Sequence, residues 1–298
     1  MTLTDDVRAA CARVAASARH VRIVEPAVAE YAATLPADGP PAPDLGGASD
    51  EARAAFSLTL NAINFGSGWF PTLRKAAGMS GFRTVEAGVR AHGPWSADAL
   101  AAMTPERIGA AVGQDPGHEL MGHFARHLRE LGERVRDAHG GSFLALARSG
   151  GGSAVQLAAY LGSWPTWRDV SVYDGYEVPL FKRAQLAAAD LALAGIAPVD
   201  DLPALTLFAD NLVPHVLRID GVLEFDARLV ARIDAEELIE HDSAEEVEIR
   251  ACALDAVELL VAAHGATTAT AVDNVLWHRG AAPRYKAHPR HRARTTDY

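Results

Sequence analysis

The sequence predicts a mainly helical, all-α protein with at most a small β element. Alanine and leucine are abundant through the 298 residues, and runs of β-branched residues are short, which favours helix over strand. Hydrophobic residues make up 49% of the chain and charged residues 22%, so the chain can bury a sizeable core. We therefore expect residues 1–298 to form a single helical domain.

The first half of the chain shows one long break and one clear helix. Residues 36–50 are predicted to form a surface loop, since the stretch 36–47 is rich in Pro and Gly. Thr104-Pro105 is a helix start with Pro at the first helical position, and Gly113 is a plausible stop. The run Ser149–Ser153 lacks the Gly-Lys-Ser/Thr ending of a phosphate-binding loop, so we interpret it as a turn between helices.

The second half carries three further signals. Tyr173–Tyr176, with Asp-Gly at its centre, predicts a β-hairpin turn. Leu186–Leu193 is almost wholly apolar apart from Asp190, which indicates a central helix surrounded by others. Ser243–Glu246 has the pattern of a capping box, and it opens a helix over Val247–Ala263 with a broad buried stripe.

Charge and cysteine content bear on partners and compartment. A net charge of -10 argues against a general nucleic-acid binder. The chain has no stretch of eighteen apolar residues and no basic start followed by an apolar run, so we expect no membrane span and no secretory signal. Cys11 and Cys252 lie in Ala-rich helical contexts, which predicts buried free thiols in a reducing cytoplasm. We expect no nucleic-acid, membrane or obligate protein partner.

One pair of histidines resembles a zinc motif but has the wrong spacing. His118 and His123 are five residues apart, whereas a zinc helix needs two histidines four apart on one face. The extra residue turns the second side chain about 140° away from the first. We therefore predict surface histidines on an amphipathic helix and no metal site.

Asp210 is a carboxylate that follows an apolar run, Leu205–Ala209. Burying a bare carboxylate costs more than one hydrogen bond returns, so Asp210 must be hydrogen-bonded, neutralised or used in chemistry. The first interpretation is a helix cap, with Pro214 in the first turn that follows. The second is a catalytic acid or nucleophile. The residues of this segment alone favour the cap.

The C-terminal segment 278–298 is basic, although the rest of the chain is acidic. It contains six Lys/Arg, three histidines and a single acid, Asp297. Such a segment can dock on an acidic body by charge. Its arginines can instead bind a phosphate group, for which the planar guanidinium is well suited. The residues give these two interpretations equal weight.

An ordered set of segments carries a resemblance to a known family. The segments are Asn61–Phe70, Val178–Gln185, Phe208–Asp210, Val213–Arg218, Glu245–Ala251, Asp273–Trp277 and Pro289–Thr295. In this order they resemble the queuosine salvage protein family, the queuosine 5'-phosphate N-glycosylases. The resemblance extends from about Arg19 to Tyr298.

This resemblance implies a helical fold similar to that of DNA glycosylases. It implies hydrolysis of the N-glycosidic bond of queuosine 5'-monophosphate, which releases queuine for tRNA modification and ribose 5-phosphate. It also implies that Asp210 is the catalytic residue, and we expect no cofactor. The residues expected to contact the substrate are Phe208, Asp273, Asn274, Trp277, His278, Lys182, Phe65 and Trp69. The tail is expected to pack near the active site, with Arg290, Arg292 and Arg294 on the phosphate.

The chain departs from the family pattern at two places. Asn211 stands where many relatives have Tyr, and the histidine that some relatives carry ahead of the Asn-Phe motif is missing. These departures bear on base selectivity.

The residues also leave the mechanism open. Glycosidases usually pair two carboxylates. Asp273, Glu246 or Asp190 could be the second, although a structural hydrogen bond is the expected role of Asp190. Asp210 itself could be a nucleophile or an electrostatic stabiliser.

Two other functions remain open. One is an N-glycosidase of the same fold that acts on another purine-like nucleotide or on damaged DNA. The other is a non-catalytic helical interaction protein.

Overall fold

Helices make up most of the regular structure in residues 2–37, 39, 41–46 and 49–298, the part of the chain that the computed structural model describes. The α-helices are α1 (Leu3–Ser17), α2 (Glu25–Ala32), α3 (Asp50–Ala62), α4 (Gly81–His92), α5 (Ala97–Ala101), α6 (Pro105–Val112), α7 (Glu119–His139), α8 (Phe143–Ala147), α9 (Ala154–Gly162), α10 (Lys182–Leu193), α11 (Val213–Ile219), α12 (Ala227–Asp234), α13 (Ala244–His264), α14 (Ala269–Arg279) and α15 (Pro283–Lys286). The predicted mainly helical class is confirmed. Among the described residues, no helix combines the length and the apolarity needed to cross a membrane.

Two antiparallel strand pairs complete the regular structure. Strands β2 (Val170–Tyr173) and β3 (Tyr176–Pro179) form the predicted hairpin. Asp174 and Gly175 both have positive φ, 46° and 84°, as a tight two-residue turn requires. The second pair joins β1 (Val21–Ile23) to β4 (Leu223–Phe225). Its strands of three residues are too short to give a sequence signal.

The predicted helix starts are confirmed in their main features. Thr104 caps α6 by accepting a hydrogen bond from the Arg107 N–H, and Gly113 ends the helix in the left-handed conformation. Ser243 likewise accepts a hydrogen bond from the Glu246 N–H at the start of α13. The second half of the predicted capping box is wrong, because the Glu246 carboxylate turns into the interior and accepts from the Asp242 N–H instead.

The core consists of two hydrophobic clusters. The first lies among α3 to α10, and the second lies among α1, α2 and α11 to α14. Helix α10 packs against α3 and α9, as expected for a central helix. The segment Leu205–Asp210 runs between the clusters: Leu205 and Phe208 enter the first, while Leu207 and Ala209 enter the second. Asp210 therefore lies where the two clusters meet.

The predicted loop falls partly outside the described residues. Positions 38, 40, 47 and 48 are not described, and the described positions 41–46 contain no helix or strand. Leu45 is buried in the first cluster, and the Arg90 guanidinium donates to the Asp44 carbonyl at 2.8 Å. Both predicted free thiols, Cys11 and Cys252, are buried.

A buried ion pair connects the segments around Asp210. Both carboxylate oxygens of Asp169 accept hydrogen bonds from Arg250, at 3.0 and 2.8 Å, and both side chains are almost fully buried. Arg250 also donates from Nε to the Ala209 carbonyl at 3.1 Å. The Lys182 N–H donates to Asp169 Oδ2 at 2.9 Å. The ion pair thus fixes the backbone at two places, next to Asp210 and at the start of α10.

We predict that Arg250→Leu lowers the free energy of unfolding by about 3–5 kcal/mol, because it leaves the Asp169 carboxylate buried without its partner. Arg22→Leu is the control, since Arg22 pairs with Glu224 in a pair in which both side chains are more than half exposed. It should cost less than about 1 kcal/mol. Urea unfolding measures both, and equal losses would contradict a structural role for the buried pair.

Candidate active site

The Asp210 carboxylate is held by one of its two oxygens. Oδ1 accepts hydrogen bonds from the Leu212 N–H at 2.7 Å and the Val213 N–H at 3.1 Å, at the start of α11. These contacts are similar to those of the cap that the sequence favoured, although the N-cap position of α11 is Leu212 and not Asp210. Within the described part of the chain, Oδ2 accepts no hydrogen bond, so it is available to a ligand. The two interpretations of Asp210 are therefore compatible.

The side chain of Gln185 holds the extended segment that leads to Asp210. Gln185 on α10 accepts from the Thr206 N–H at 3.0 Å and donates to the Thr206 hydroxyl at 2.9 Å. All of these groups are buried. An irregular segment needs such partners because its backbone groups have no helix or strand to satisfy them.

Lys182 brings a buried amine to the same place. Its side chain, at the start of α10, is 5% exposed, and Nζ donates to the Asn64 carbonyl at 2.9 Å. Burial lowers the pKa of Lys182 to about 8, and the negative charge of Asp210 opposes this shift. At neutral pH the amine is therefore still mainly charged and within electrostatic reach of Asp210.

Asp273 on α14 supplies a second carboxyl group. It is 8% exposed, and its Oδ1 accepts from the Phe208 N–H at 3.3 Å. Burial, together with the negative charge of Asp210, raises the pKa of Asp273 well above its ordinary value. The site thus contains two acids in different surroundings, of which Asp273 favours the protonated form.

The other two candidate carboxylates have structural partners. Asn61 donates to Asp190 at 2.8 Å, which confirms the structural hydrogen bond expected there, and burial raises the pKa of Asp190 to about 6. Glu246 lies instead beside His241 and Arg250, at 3.5 and 3.9 Å. Among the candidates, Asp273 is the acid that stands beside Asp210 without an ion-pair partner in the described residues.

The predicted aromatic residues separate into two groups. Trp277 is half-buried, and its ring meets the edge of Phe82 at 6.3 Å. Phe65 lies in the core against Phe124 at 5.2 Å, and the buried Trp69 donates from its indole to Glu119 at 2.7 Å. Thus Trp277 is partly accessible, with the Arg83 guanidinium over its ring at 5.1 Å, whereas Phe65 and Trp69 are buried.

The remaining residues predicted to contact the base are Phe208, Asn274 and His278. Phe208 is 6% exposed and packs in the first cluster, directly before Asp210 in the chain. Asn274 is half-buried and His278 is exposed. Their contact is local, from the His278 ring nitrogen Nδ1 to the Asn274 carbonyl at 2.8 Å.

The three predicted tail arginines have different surroundings. Arg292 pairs with Glu236 at 3.2 Å and is largely buried. Arg294 pairs with Glu119 at 3.4 Å and is half exposed. Arg290 forms no ion pair with the described residues, and burial lowers its pKa while the charge of Asp210 opposes this. Arg290 is therefore the tail cation that lies in the field of Asp210.

The tail is anchored through backbone and side-chain contacts. Asn211 is buried and donates to the His291 carbonyl at 3.1 Å, so the departure at this position bears on tail docking rather than on the base. The Gly66 N–H donates to the Tyr298 carbonyl at 2.9 Å. At Gly68, a Cβ atom would lie 2.3 Å from the Ala293 carbonyl oxygen, so only glycine allows the tail to pass this closely.

His241 joins the tail to α13, and no sequence motif indicated it. Its ring lies 3.2 Å from Asp297 and 3.5 Å from the fully buried Glu246. Burial disfavours the charged ring, but hydrogen bonds to Asp297 and Glu246 outweigh this effect and raise the pKa of His241 to about 10. The one signal in the sequence was Asp297, the single acid of a basic segment.

Two groups of residues with potential metal-ligand atoms have other contacts in the described part of the chain. His241, Asp242 and Glu246 lie close enough to surround an ion, but the Arg250 guanidinium 3.9 Å from Glu246 disfavours a cation there. His118 caps α7 by accepting from the Leu120 N–H, and His123 stacks near Trp69 at 5.2 Å. Both histidines are partly exposed, and His123 lies on α7 with 31% of its side chain accessible, as expected for histidines at the surface.

The fold and this arrangement indicate a class of protein, a mainly helical protein with a candidate catalytic site. A carboxylate with a free oxygen, a carboxyl group with a raised pKa and a buried amine with a lowered pKa meet between two hydrophobic clusters, and such perturbed groups are typical of catalytic sites.

Comparison with known proteins identifies the family. The family model described as "Queuosine salvage protein" matches residues 47–298. A protein of Sphaerobacter thermophilus named queuosine 5'-phosphate N-glycosylase/hydrolase is 35% identical over 83% of this chain and 82% of its own length. Proteins with the same name are 32% identical in Dictyostelium discoideum, over 68% of this chain and 66% of the relative, and 32% identical in Mus musculus, over 47% and 43%. The chain belongs to the queuosine salvage protein family.

We predict that His241 stabilises the protein mainly at low and neutral pH. Its pKa is raised above the ordinary 6.5, so its contribution is fully present below about pH 6.5 and is lost as the pH rises towards 10. The melting-temperature difference between the parent and His241→Gln should therefore be largest at pH 6 and small at pH 10. His264→Gln is the control, since the His264 ring contacts the Leu35 carbonyl, and a similar pH trend in this variant would contradict the assignment.

Proposed function

We propose that this protein hydrolyses the N-glycosidic bond of queuosine 5'-phosphate and releases queuine and ribose 5-phosphate. Membership of the family and the names of its relatives support this reaction. The observation that carries the proposal is the Asp210 carboxylate, with one oxygen fixed by two backbone N–H groups and the other free of hydrogen bonds from the described residues.

Asp210 supplies the negative charge that the reaction needs. Cleavage of a glycosidic bond develops positive charge on the ribose ring, as in an oxocarbenium ion. The free oxygen of Asp210 either stabilises this charge or attacks C1'. Because Oδ1 is held at 2.7 Å by Leu212, the carboxylate needs little reorganisation during the reaction.

Asp273 supplies the proton for the leaving base. Burial and the charge of Asp210 raise its pKa well above the ordinary value, which favours the neutral form, and a neutral carboxyl group can donate to a nitrogen or oxygen of the departing base. Phe208 donates its N–H to Asp273, which orients the carboxyl group. Trp277 and Phe82 offer ring faces and edges against which a planar base can pack.

Lys182 and Arg290 balance the charge of the site. Lys182 is fixed by the Asn64 carbonyl, and its ammonium offsets the charge of Asp210. Arg290 is our proposed tail contact to the phosphate, because it has no carboxylate partner among the described residues. The ion pairs of Arg292 and Arg294 favour a docking role for these two.

The substrate is a small molecule, and no nucleic-acid partner is proposed. A net charge of -10 disfavours binding to a duplex, which requires an extended positive surface. The two buried free thiols fit a reducing compartment, so we propose that the protein acts in the cytoplasm.

The direct test is release of the base. The purified protein is incubated with queuosine 5'-phosphate, and queuine and ribose 5-phosphate are measured by chromatography. Queuosine nucleoside and guanosine 5'-phosphate serve as comparison substrates. Turnover of guanosine 5'-phosphate at the same rate would favour a broader N-glycosidase, and no turnover of any substrate would contradict the proposal.

We predict that Asp210→Asn lowers turnover at least about a hundredfold. Asn keeps the shape and an oxygen that can accept from Leu212 and Val213, so the melting temperature should stay within a few degrees and substrate binding should be largely retained. The amide cannot neutralise a cationic ribose or act as a nucleophile. Near-normal turnover of this variant would reduce Asp210 to its capping role.

We predict that Asp273→Asn loses about a hundredfold to ten-thousandfold in turnover of queuosine 5'-phosphate, since it removes the general acid. A substrate with a 4-nitrophenolate leaving group needs no proton on departure. This variant should therefore cleave 4-nitrophenyl riboside 5'-phosphate at nearly the parental rate, while Asp210→Asn should not. Equal losses on both substrates would argue that Asp273 only positions the base.

A further inference from the structure

A cleft of about 450 Å³ reaches the start of α11, where Leu212 and His215 line it. Its walls come from the Phe70–Thr72 turn, the starts of α4 and α11, and the tail. Leu212 lines the cleft, and the same residue donates its backbone N–H to Asp210 Oδ1. Arg290 also lines the cleft and lies in the field of Asp210, so the cleft is close to the proposed reacting carboxylate.

The cleft carries positive charge that the described residues do not neutralise. Its lining includes Lys75, Lys286, Arg290 and Arg292 against one carboxylate, Glu236. Glu236 is already paired with Arg292. Lys75, Lys286 and Arg290 make no ion pair within the described residues. In a chain of net charge -10, this concentration of cations selects an anionic ligand.

The start of α4 adds fixed donors to the cleft. Ser80 caps this twelve-residue helix by accepting from the Arg83 N–H, and the first turn contains no acidic residue. Gly81 and Phe82 line the cleft, and their N–H groups have no acceptor in the described part of the chain. Free N–H groups at the positive end of a helix favour a phosphate.

His215 is a second, independent observation that points to a ligand. It lines the cleft and is only 3% exposed, and its Nε2 lies 2.9 Å from the Tyr285 carbonyl. Burial lowers the pKa of His215 to about 4, so the ring is neutral and Nε2 carries the proton that bonds the carbonyl. Nδ1 is then an acceptor, and it has no partner among the described residues. It suits a hydroxyl group rather than an anion.

We infer that this cleft receives the ribose 5-phosphate part of the substrate. Lys75 and the start of α4 hold the phosphate together with Arg290, and Nδ1 of His215 accepts a hydrogen bond from a ribose hydroxyl. The inference rests on the proposed function and deepens it. It makes two residues determinants of selectivity for a phosphorylated nucleoside: Lys75, which no sequence motif indicated, and His215, which lies in the Val213–Arg218 segment but was given no role there.

The first test changes the charge at the start of α4 while keeping the helix cap. Asp and Asn both cap helices well, so Ser80→Asp and Ser80→Asn should both fold. Binding of ribose 5-phosphate is measured by calorimetry at low salt. Ser80→Asp should bind at least about tenfold more weakly than Ser80→Asn, because its carboxylate repels the phosphate.

The second test removes one cation. Lys75→Gln should lower the ratio of kcat/KM for queuosine 5'-phosphate over that for the nucleoside at least about tenfold. Arg107→Gln removes the same charge from α6, outside the cleft, and should leave this ratio unchanged. His215→Phe removes the hydroxyl acceptor together with the donor to the Tyr285 carbonyl. It should weaken binding of ribose 5-phosphate more than binding of inorganic phosphate, because inorganic phosphate has no ribose hydroxyl to bond.

The outcomes separate this inference from the proposed function. If the parent protein releases queuine but Ser80→Asp and Lys75→Gln keep the parental affinity and substrate ratio, the phosphate lies elsewhere and the inference is overturned. If the parent releases no base but binds ribose 5-phosphate with the expected dependence on Ser80 and Lys75, the cleft assignment stands and the proposed reaction fails.

Discussion

The buried pair of Asp169 and Arg250 is the interaction on which the site depends. Arg250 fixes the Ala209 carbonyl, one residue before Asp210, while Asp169 fixes the Lys182 N–H at the start of α10. The Arg250 guanidinium also lies over the Tyr298 ring at 4.5 Å. One ion pair thus sets the relative positions of the carboxylate, the amine and the tail. Such a pair is tolerated in the interior because nearly all of its hydrogen-bonding capacity is used.

The site beside this pair has the opposite character, because its charged groups are left partly unsatisfied. Asp210 has one oxygen without a donor in the described residues, and burial together with the charge of Asp210 raises the pKa of Asp273. Lys182 has a lowered pKa. Each of these features lowers the stability of the fold, and the hydrophobic clusters on either side offset this loss. The contrast identifies which buried charges are structural and which are available for chemistry.

Local signals in the sequence were sufficient for the caps and the hairpin. Thr104, Ser243 and the Asp174-Gly175 turn act through neighbours within a few residues, so their patterns could be recognised without the fold. The pair of Asp169 and Arg250 joins positions 81 residues apart, and His241 meets Asp297 only when the tail docks. No periodicity marks such contacts. Asp210 was singled out first by its apolar setting, and Lys182 and Asp273 through the family resemblance. The basic cleft with Lys75 and His215 became visible only in three dimensions.

The two interpretations of Asp210 describe one arrangement. A helix start needs an acceptor for its free N–H groups, and a catalytic carboxylate needs a fixed orientation. In this protein a single oxygen of Asp210 meets both needs, since its bonds to Leu212 and Val213 anchor α11 and orient the other oxygen. The apolar run Leu205–Ala209 follows from the same requirement, because the segment must pass between two hydrophobic clusters to bring the carboxylate to α11. A carboxylate that binds the start of a helix in an apolar setting is therefore a useful signal of function when one of its oxygens accepts no hydrogen bond.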